Sequence, residues 1–221
     1  MAQASTVERI LDTAEVLFAE KGFAETSLRA ITSKAGVNLA AVNYHFGSKE
    51  SLIQAVFERF LNPFCGALEL QMDERFADKV TLESLLGLVA TVAMETQRGD
   101  ARRVAIFFRL SGLAYTQAQG HMRRFLRERY APPFRRWLSL LAQLTPELTQ
   151  QERFWRVHFA LGATTFALSG MESLLAMSNQ GAQQPMAATQ VSKELLDFVA
   201  GGIRAPSQTS RALPDGESAQ K

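Results

Sequence analysis

Residues 35–52, AGVNLAAVNYHFGSKESL, constrain the fold more than any other stretch of this chain, because one helix end and two helix starts are crowded into them. Gly36 closes a short apolar-periodic run, 27–35, and is the residue best suited to the left-handed conformation that ends a helix. Two positions on, Asn38 can accept from the amides of a new helix over 39–46. Gly47 breaks that helix and Ser48 caps another. So short a link forces the helices to cross steeply, with Ile31, Val37 and Val42 available to fill the corner.

A helix over 39–46 makes about two turns and does not persist alone in water. Tertiary packing must hold it. Ala40 and Ala41 permit close approach to another surface, while Asn43, Tyr44 and His45 supply donors, acceptors and a ring face. In a DNA major groove Asn pairs bidentately with adenine, Tyr and His bond phosphates or bases, and Lys49 is placed for a phosphate. Such a corner also occurs in ordinary α-proteins, where His45 is merely a surface histidine.

The preceding segment bears on that choice. Ser5 and Glu8 have capping-box spacing, and Val7, Ile10, Leu11, Ala14, Leu17 and Phe18 form one apolar stripe ending at Lys21-Gly22-Phe23. A three-helix unit therefore opens the chain. The run ILDTAEVLFAEKGFAETSLRAITSKAGVNLAAVNYHFGSKESLIQAVF resembles the N-terminal domain of the TetR family of transcriptional regulators. The resemblance implies DNA contacts from Thr26, Ser27, Arg29, Asn38, Leu39, Ala40, Ala41, Asn43, Tyr44, His45 and Lys49. At one position the chain departs from the pattern. Many members carry Tyr where this chain has Asn43, and here the aromatic follows at Tyr44, either to take over a phosphate contact or to face the domain core.

Charge alone does not advertise a polyanion. The first sixty residues carry six Lys and Arg against seven acids, but within 26–50 Arg29, Lys34 and Lys49 face only Glu50. Affinity for DNA should then be salt-sensitive and need two reading heads on an inverted repeat. The single Cys65 rules out an intramolecular disulfide and suits a reducing cytosol, so a cytoplasmic location is expected. The N-terminus does not read as a signal peptide, and the apolar stretch 157–171 falls short of the ~20 residues that span a bilayer, so no membrane partner is expected.

Beyond Leu52 the pattern remains helical, giving an all-α chain with a helix-turn-helix DNA-binding domain over 1–47, a helical effector-binding and dimerisation domain over 48–204, and a disordered tail over 205–221. Helices are expected from Ser48 on, then over 63–76, 82–97, 102–119, 121–144, 149–178 and 187–204, with Pro63 starting or kinking one and Pro132-Pro133 bending or splitting another. Trp155, Phe159, Gly162, Phe166 and Gly170 read either as part of a monomeric core or as a dimer interface, and the interface is expected because a groove-reading helix pair generally needs a two-fold partner; the resemblance implies a four-helix bundle of the last two long helices. Phe60, Phe64, Phe107, Phe108, Tyr115, Phe134 and Trp137 are candidates to line an apolar effector cavity.

Between 98 and 136 ten arginines oppose only Asp100 and Glu128. They read either as a solvated basic face or as an anionic headgroup site, and Arg109, set among apolar residues, is the candidate for a buried guanidinium needing a carboxylate. The stretches NLAAVNYHFGSKESLIQAVFERFLNPFC, FFRLSGLAYTQAQGHMRRFL and FWRVHFALGA resemble the PsrA-type branch, which responds to long-chain fatty acids. That likeness implies a small acyl effector, a homodimer and control of fatty-acid genes. An aromatic or cationic drug-like effector, and a helical interaction protein without DNA binding, are the rival readings. Cys65, His45, His121 and His158 sit in no nucleophile motif, metal-ligand cluster or phosphate loop, so neither enzymatic activity nor a cofactor is expected.

Overall fold

The computed structural model describes residues 5–75, 80–117 and 120–207. Ten α-helices occupy them: α1 (Thr6–Glu25), α2 (Leu28–Ala35), α3 (Leu39–Phe46), α4 (Lys49–Arg75), α5 (Leu82–Thr96), α6 (Ala101–Gln117), α7 (Gly120–Leu144), α8 (Gln150–Ser169), α9 (Met171–Ser178) and α10 (Ala188–Arg204). Helices α1 to α3 form a small N-terminal unit, and α4 packs on both that unit and α5 and α7. Helix α6 lies against both α1 and α8. One core cluster runs through the whole, from Ile10 and Phe18 in α1 through Phe57 and Phe60 in α4 to Leu110 in α6 and Leu141 in α7.

Local chemistry accounts for the starts and stops. Ser5, Ser27, Asn38, Thr81 and Thr149 each accept a hydrogen bond from a first-turn amide, and at Thr149 the Glu152 side chain returns the bond. Regular helical geometry in α1 ends at Gly22, whose φ of 83° leaves the helical region.

The helices differ from expectation at three places. Pro63 lies inside α4 and Pro132-Pro133 inside α7, with neither helix split. The α7 prolines leave the carbonyls of Glu128 and Arg129 without their usual donors, and both residues are exposed, so water can serve instead. The expected helix over 149–178 is divided at Gly170, where the chain bends by 74°. The tail expected from 205 is docked at its start. Arg156 donates to the carbonyls of Ile203, Ala205 and Pro206, and the Ser207 hydroxyl donates to Glu152 at 2.8 Å. Residues 208–221 lie outside the described residues. No single helix among the described residues is long and apolar enough to cross a membrane.

A buried carboxylate ties the N-terminal unit to the rest. Glu15 of α1 is 4% exposed, with Arg59 of α4 at 3.5 Å and Arg103 of α6 at 3.4 Å. These are ion-pair separations, and Glu15 Oε2 gains no hydrogen bond. Burial raises the Glu15 pKa, and the two guanidiniums offset this only in part. A raised carboxyl pKa means that the stabilising, protonated form is present in acid and lost as pH rises through the folded-state value. Glu15→Gln should therefore match or exceed the parent in stability at neutral pH, with the gap closing as pH falls below the ordinary 4.5. Urea unfolding across that range checks this; a loss independent of pH would contradict it.

Candidate nucleic-acid interface

The turn between α2 and α3 has the geometry its residues require. Gly36 sits at φ 64°, ψ 39°, and the amides of Gly36 and Val37 close onto the carbonyls of Ser33 and Thr32. A Cβ at Gly36 would fall 2.8 Å from Arg9 Nη2, so a larger residue there, already strained by the positive φ, would push the Arg9 guanidinium aside. Arg9 reaches across from α1 and donates to the carbonyls of Ala35 and Gly36 at 2.5 and 2.9 Å. This clamp has no local sequence signal, since its partners lie 26 and 27 residues away. Asn38 caps α3 by accepting from the Ala41 amide at 2.9 Å.

Ile31 and Val42 are fully buried in the corner, which anchors α3 by one side. Leu39, Ala40, Asn43 and Tyr44 share an exposed face turned away from Val42. Tyr44 is 85% exposed, so its ring is not part of the core, and His45 lies edge-on to it at 5.0 Å. Ala41 is half-buried, while Ser27, Arg29 and Asn38 are exposed. Lys49 is half-buried and donates to the Ala24 carbonyl at 3.2 Å, bracing the α1–α2 link in this state. Thr26 is the exception among the candidates. It is wholly buried, and its hydroxyl donates to the carbonyls of Leu17 and Gly22, so its side chain closes the end of α1 and cannot reach a duplex.

The effector candidates do not all come together. Phe60, Phe64, Phe107 and Phe108 are buried and pack on one another at ring separations of 5.4 to 5.7 Å, with Phe134 stacked on Phe64 at 6.2 Å. They form an interlocked cluster rather than the walls of an open channel. Trp137 is buried by a different attachment, its indole N–H donating to the Leu85 carbonyl. Tyr115 is 57% exposed and meets His158 edge-on, away from that cluster. The expectation of a buried guanidinium at Arg109 is overturned: Arg109 is exposed, and Arg103, over the Phe60 ring at 5.4 Å, is the arginine that meets the aromatic cluster. An open cleft of about 380 Å³ lies between α4 and α7, bordered by Asn62, Cys65, Glu69, Arg129 and Tyr130. Burial, with Glu69 adding to it, pushes the Cys65 thiol up to about 12, which leaves it without thiolate reactivity at neutral pH.

Of the dimer candidates, Trp155, Phe159, Gly162 and Phe166 lie along the exposed side of α8, whereas Gly170 is the bend after it. Phe159 is 66% and Phe166 70% exposed, and Phe198 on α10 is equally bare.

Family models place this architecture. Residues 10–56 match "Bacterial regulatory proteins, tetR family", and residues 88–202 match "Tetracyclin repressor-like, C-terminal domain". The chain belongs to the TetR family of bacterial regulatory proteins. It is 35% identical over 85 residues to the probable HTH-type transcriptional regulator YttP of Bacillus subtilis, covering 38% of this chain and 41% of that one. It is 32% identical over 98 residues to the HTH-type transcriptional repressor KstR2 of Rhodococcus jostii, covering 44% and 46%. The chain spans less than half the length of each of these relatives. The fold as a whole is similar to the fatty acid degradation regulator FadR from Bacillus halodurans, with a TM-score of 0.54 at 18% identity over 92% of this chain and 99% of that one.

Proposed function

We propose that this TetR-family chain is a homodimeric transcriptional repressor. It binds an inverted-repeat DNA operator through α3 and is released by a long-chain fatty acid or acyl derivative. The observation that carries the DNA reading is the exposed face of α3, where Asn43 and Tyr44 stand clear of a helix pinned from behind by Val42 and held at its start by Asn38 and the Arg9 clamp. Asn43 is suited to adenine in the major groove, and Tyr44, Ser27 and Arg29 to phosphates. On binding, Lys49 exchanges the Ala24 carbonyl for a phosphate. The DNA-binding domain ends at residue 47, and α4 begins the effector domain.

The acyl effector is supported by the aromatic cluster of α4, α6 and α7 beside the α4–α7 cleft, and by the likeness of 38–65 and 107–126 to the PsrA-type branch. An apolar tail entering there parts rings that now touch and shifts α4 and α6, both of which meet α1 through Glu15. DNA favours one arrangement and the effector the other. A ligand that weakens operator binding a hundredfold must itself be weakened a hundredfold by DNA, about 2.7 kcal/mol of coupling.

The test starts from genomic fragments selected by the protein, used in fluorescence anisotropy with and without saturating oleate. Operator affinity should fall with oleate, and Tyr44→Ala should bind more weakly with its fold intact. Unchanged affinity in oleate removes the effector assignment. Failure of the parent chain to prefer any fragment removes the DNA reading itself.

A further inference from the structure

The contacts between α4 and α7 establish their relative direction. Arg129 pairs with Glu58 at 3.3 Å, Tyr130 donates to Asn62 at 2.7 Å, Phe134 stacks on Phe64, and Arg136 pairs with Asp73 at 2.5 Å. Both sets of numbers rise together, so the helices run parallel. Helix α4 starts at Lys49, directly after α3, and the beginning of α7 therefore points back toward the α3–α4 junction. At a rise of 1.5 Å per residue, Arg124 lies about 7.5 Å nearer that end than Arg129, while Glu58 lies about 13.5 Å from Lys49. The remaining offset along the axis is roughly 6 Å by this pair and about 10 Å by Tyr130 and Asn62, so the first turns of α7 stand about one to two helical turns from the level of the α3–α4 junction.

Charge distinguishes this end of α7. The helix carries six arginines and a single acid, Glu128. Arg129 and Arg136 are matched by α4 carboxylates, but Arg123, Arg124 and Arg127 are exposed and have no carboxylate partner among the described residues. Among the described residues Arg123 donates to the Tyr115 carbonyl, at 3.5 Å. Arg123 and Arg127 stand at i, i+4, an unfavourable like-charge spacing that a polyanion relieves.

We infer that Arg123, Arg124 and Arg127 form a second DNA-contacting surface, binding duplex phosphates that flank the segment under α3. The inference rests on the DNA-binding reading above and adds to it a contact made by the C-terminal part of the chain. Arginine suits phosphate oxygens through its forked donors. These contacts carry no base specificity and raise affinity for every operator alike.

The experiment compares the full-length parent with the R123Q/R124Q/R127Q triple variant on two duplexes, by anisotropy over a salt series. One is a selected operator extended by about one helical turn beyond each half-site, and the other is trimmed to the half-sites. On the long duplex the triple variant should bind at least tenfold more weakly, and its salt slope should flatten by about 3 to 5, given roughly 0.9 per lost phosphate contact and three arginines in each of two subunits. On the trimmed duplex the two proteins should coincide, and a triple lysine variant should recover most of the loss. Equal affinity and slope on the long duplex overturn the inference. So does an equal loss on both duplexes with a lowered melting temperature, which makes the arginines structural. Parent-specific sedimentation with phosphatidylglycerol vesicles and no change in DNA binding would also overturn it, assigning the face to lipid. If the parent prefers no duplex, the underlying DNA reading has failed instead.

Discussion

Placing glutamates at Phe159 and Phe166 should convert the chain to a monomer and reduce operator affinity more than a hundredfold. The two rings are 66% and 70% exposed on α8, Trp155 stacks beside Phe159 at 5.8 Å, and Phe198 on α10 is 70% exposed. Rings this bare, grouped on two helices, form a surface that water does not stabilise. An isologous two-fold interface doubles every contact, so the double variant removes four rings. At about 1.5–3 kcal/mol for each buried ring, dimer dissociation should strengthen by a factor of at least about ten thousand. A monomer reads one half-site, which accounts for the loss on DNA. Sedimentation equilibrium and anisotropy check the two parts, with unchanged helicity as the control. A variant that stays dimeric would assign the stripe to another partner.

Features encoded within a few residues were legible in the sequence. Gly36, Asn38 and Ser48 announce a helix end and two starts by the chemistry of single residues, and the structure places caps at these positions. What depended on distant neighbours was not. Pro63 read as the start or kink of a helix and Pro132-Pro133 as a bend or split, because propensity is local, yet α4 and α7 each continue through them as one helix. Arg109 looked buried because its sequence neighbours are apolar, but on α6 it occupies the outward side while Val104, Phe107, Phe108 and Leu110 turn in. Thr26, carried over by resemblance, spends its hydroxyl on the end of α1. The Arg9 clamp and the Glu15 cluster join helices remote in sequence, and no periodicity or spacing announces such pairs.

The link between the N-terminal unit and α4 should be the most sensitive point of the core. Phe57 is 2% exposed and packs on Phe23 at 6.1 Å, which in turn meets Phe18 edge-on at 5.5 Å. Two of the three rings belong to α1 and one to α4, so the trio joins the N-terminal unit to the long helix that follows it. Phe57→Ala removes a ring from a site whose neighbours are fixed by other contacts, and the cavity cannot collapse fully. The expected cost is about 3–5 kcal/mol, a large fraction of the roughly 5–15 kcal/mol that holds a typical domain. For a chain of this size that lowers the melting temperature by about 6–20 °C. Phe57→Leu keeps much of the volume and should lose well under half as much. Operator affinity at low temperature should fall for the Ala variant even while it is folded, because α1 is no longer held at a fixed angle to α4 in both subunits. Calorimetry with anisotropy separates the effects. If the Ala variant melts within about 2 °C of the parent, the ring trio is not what joins the two units.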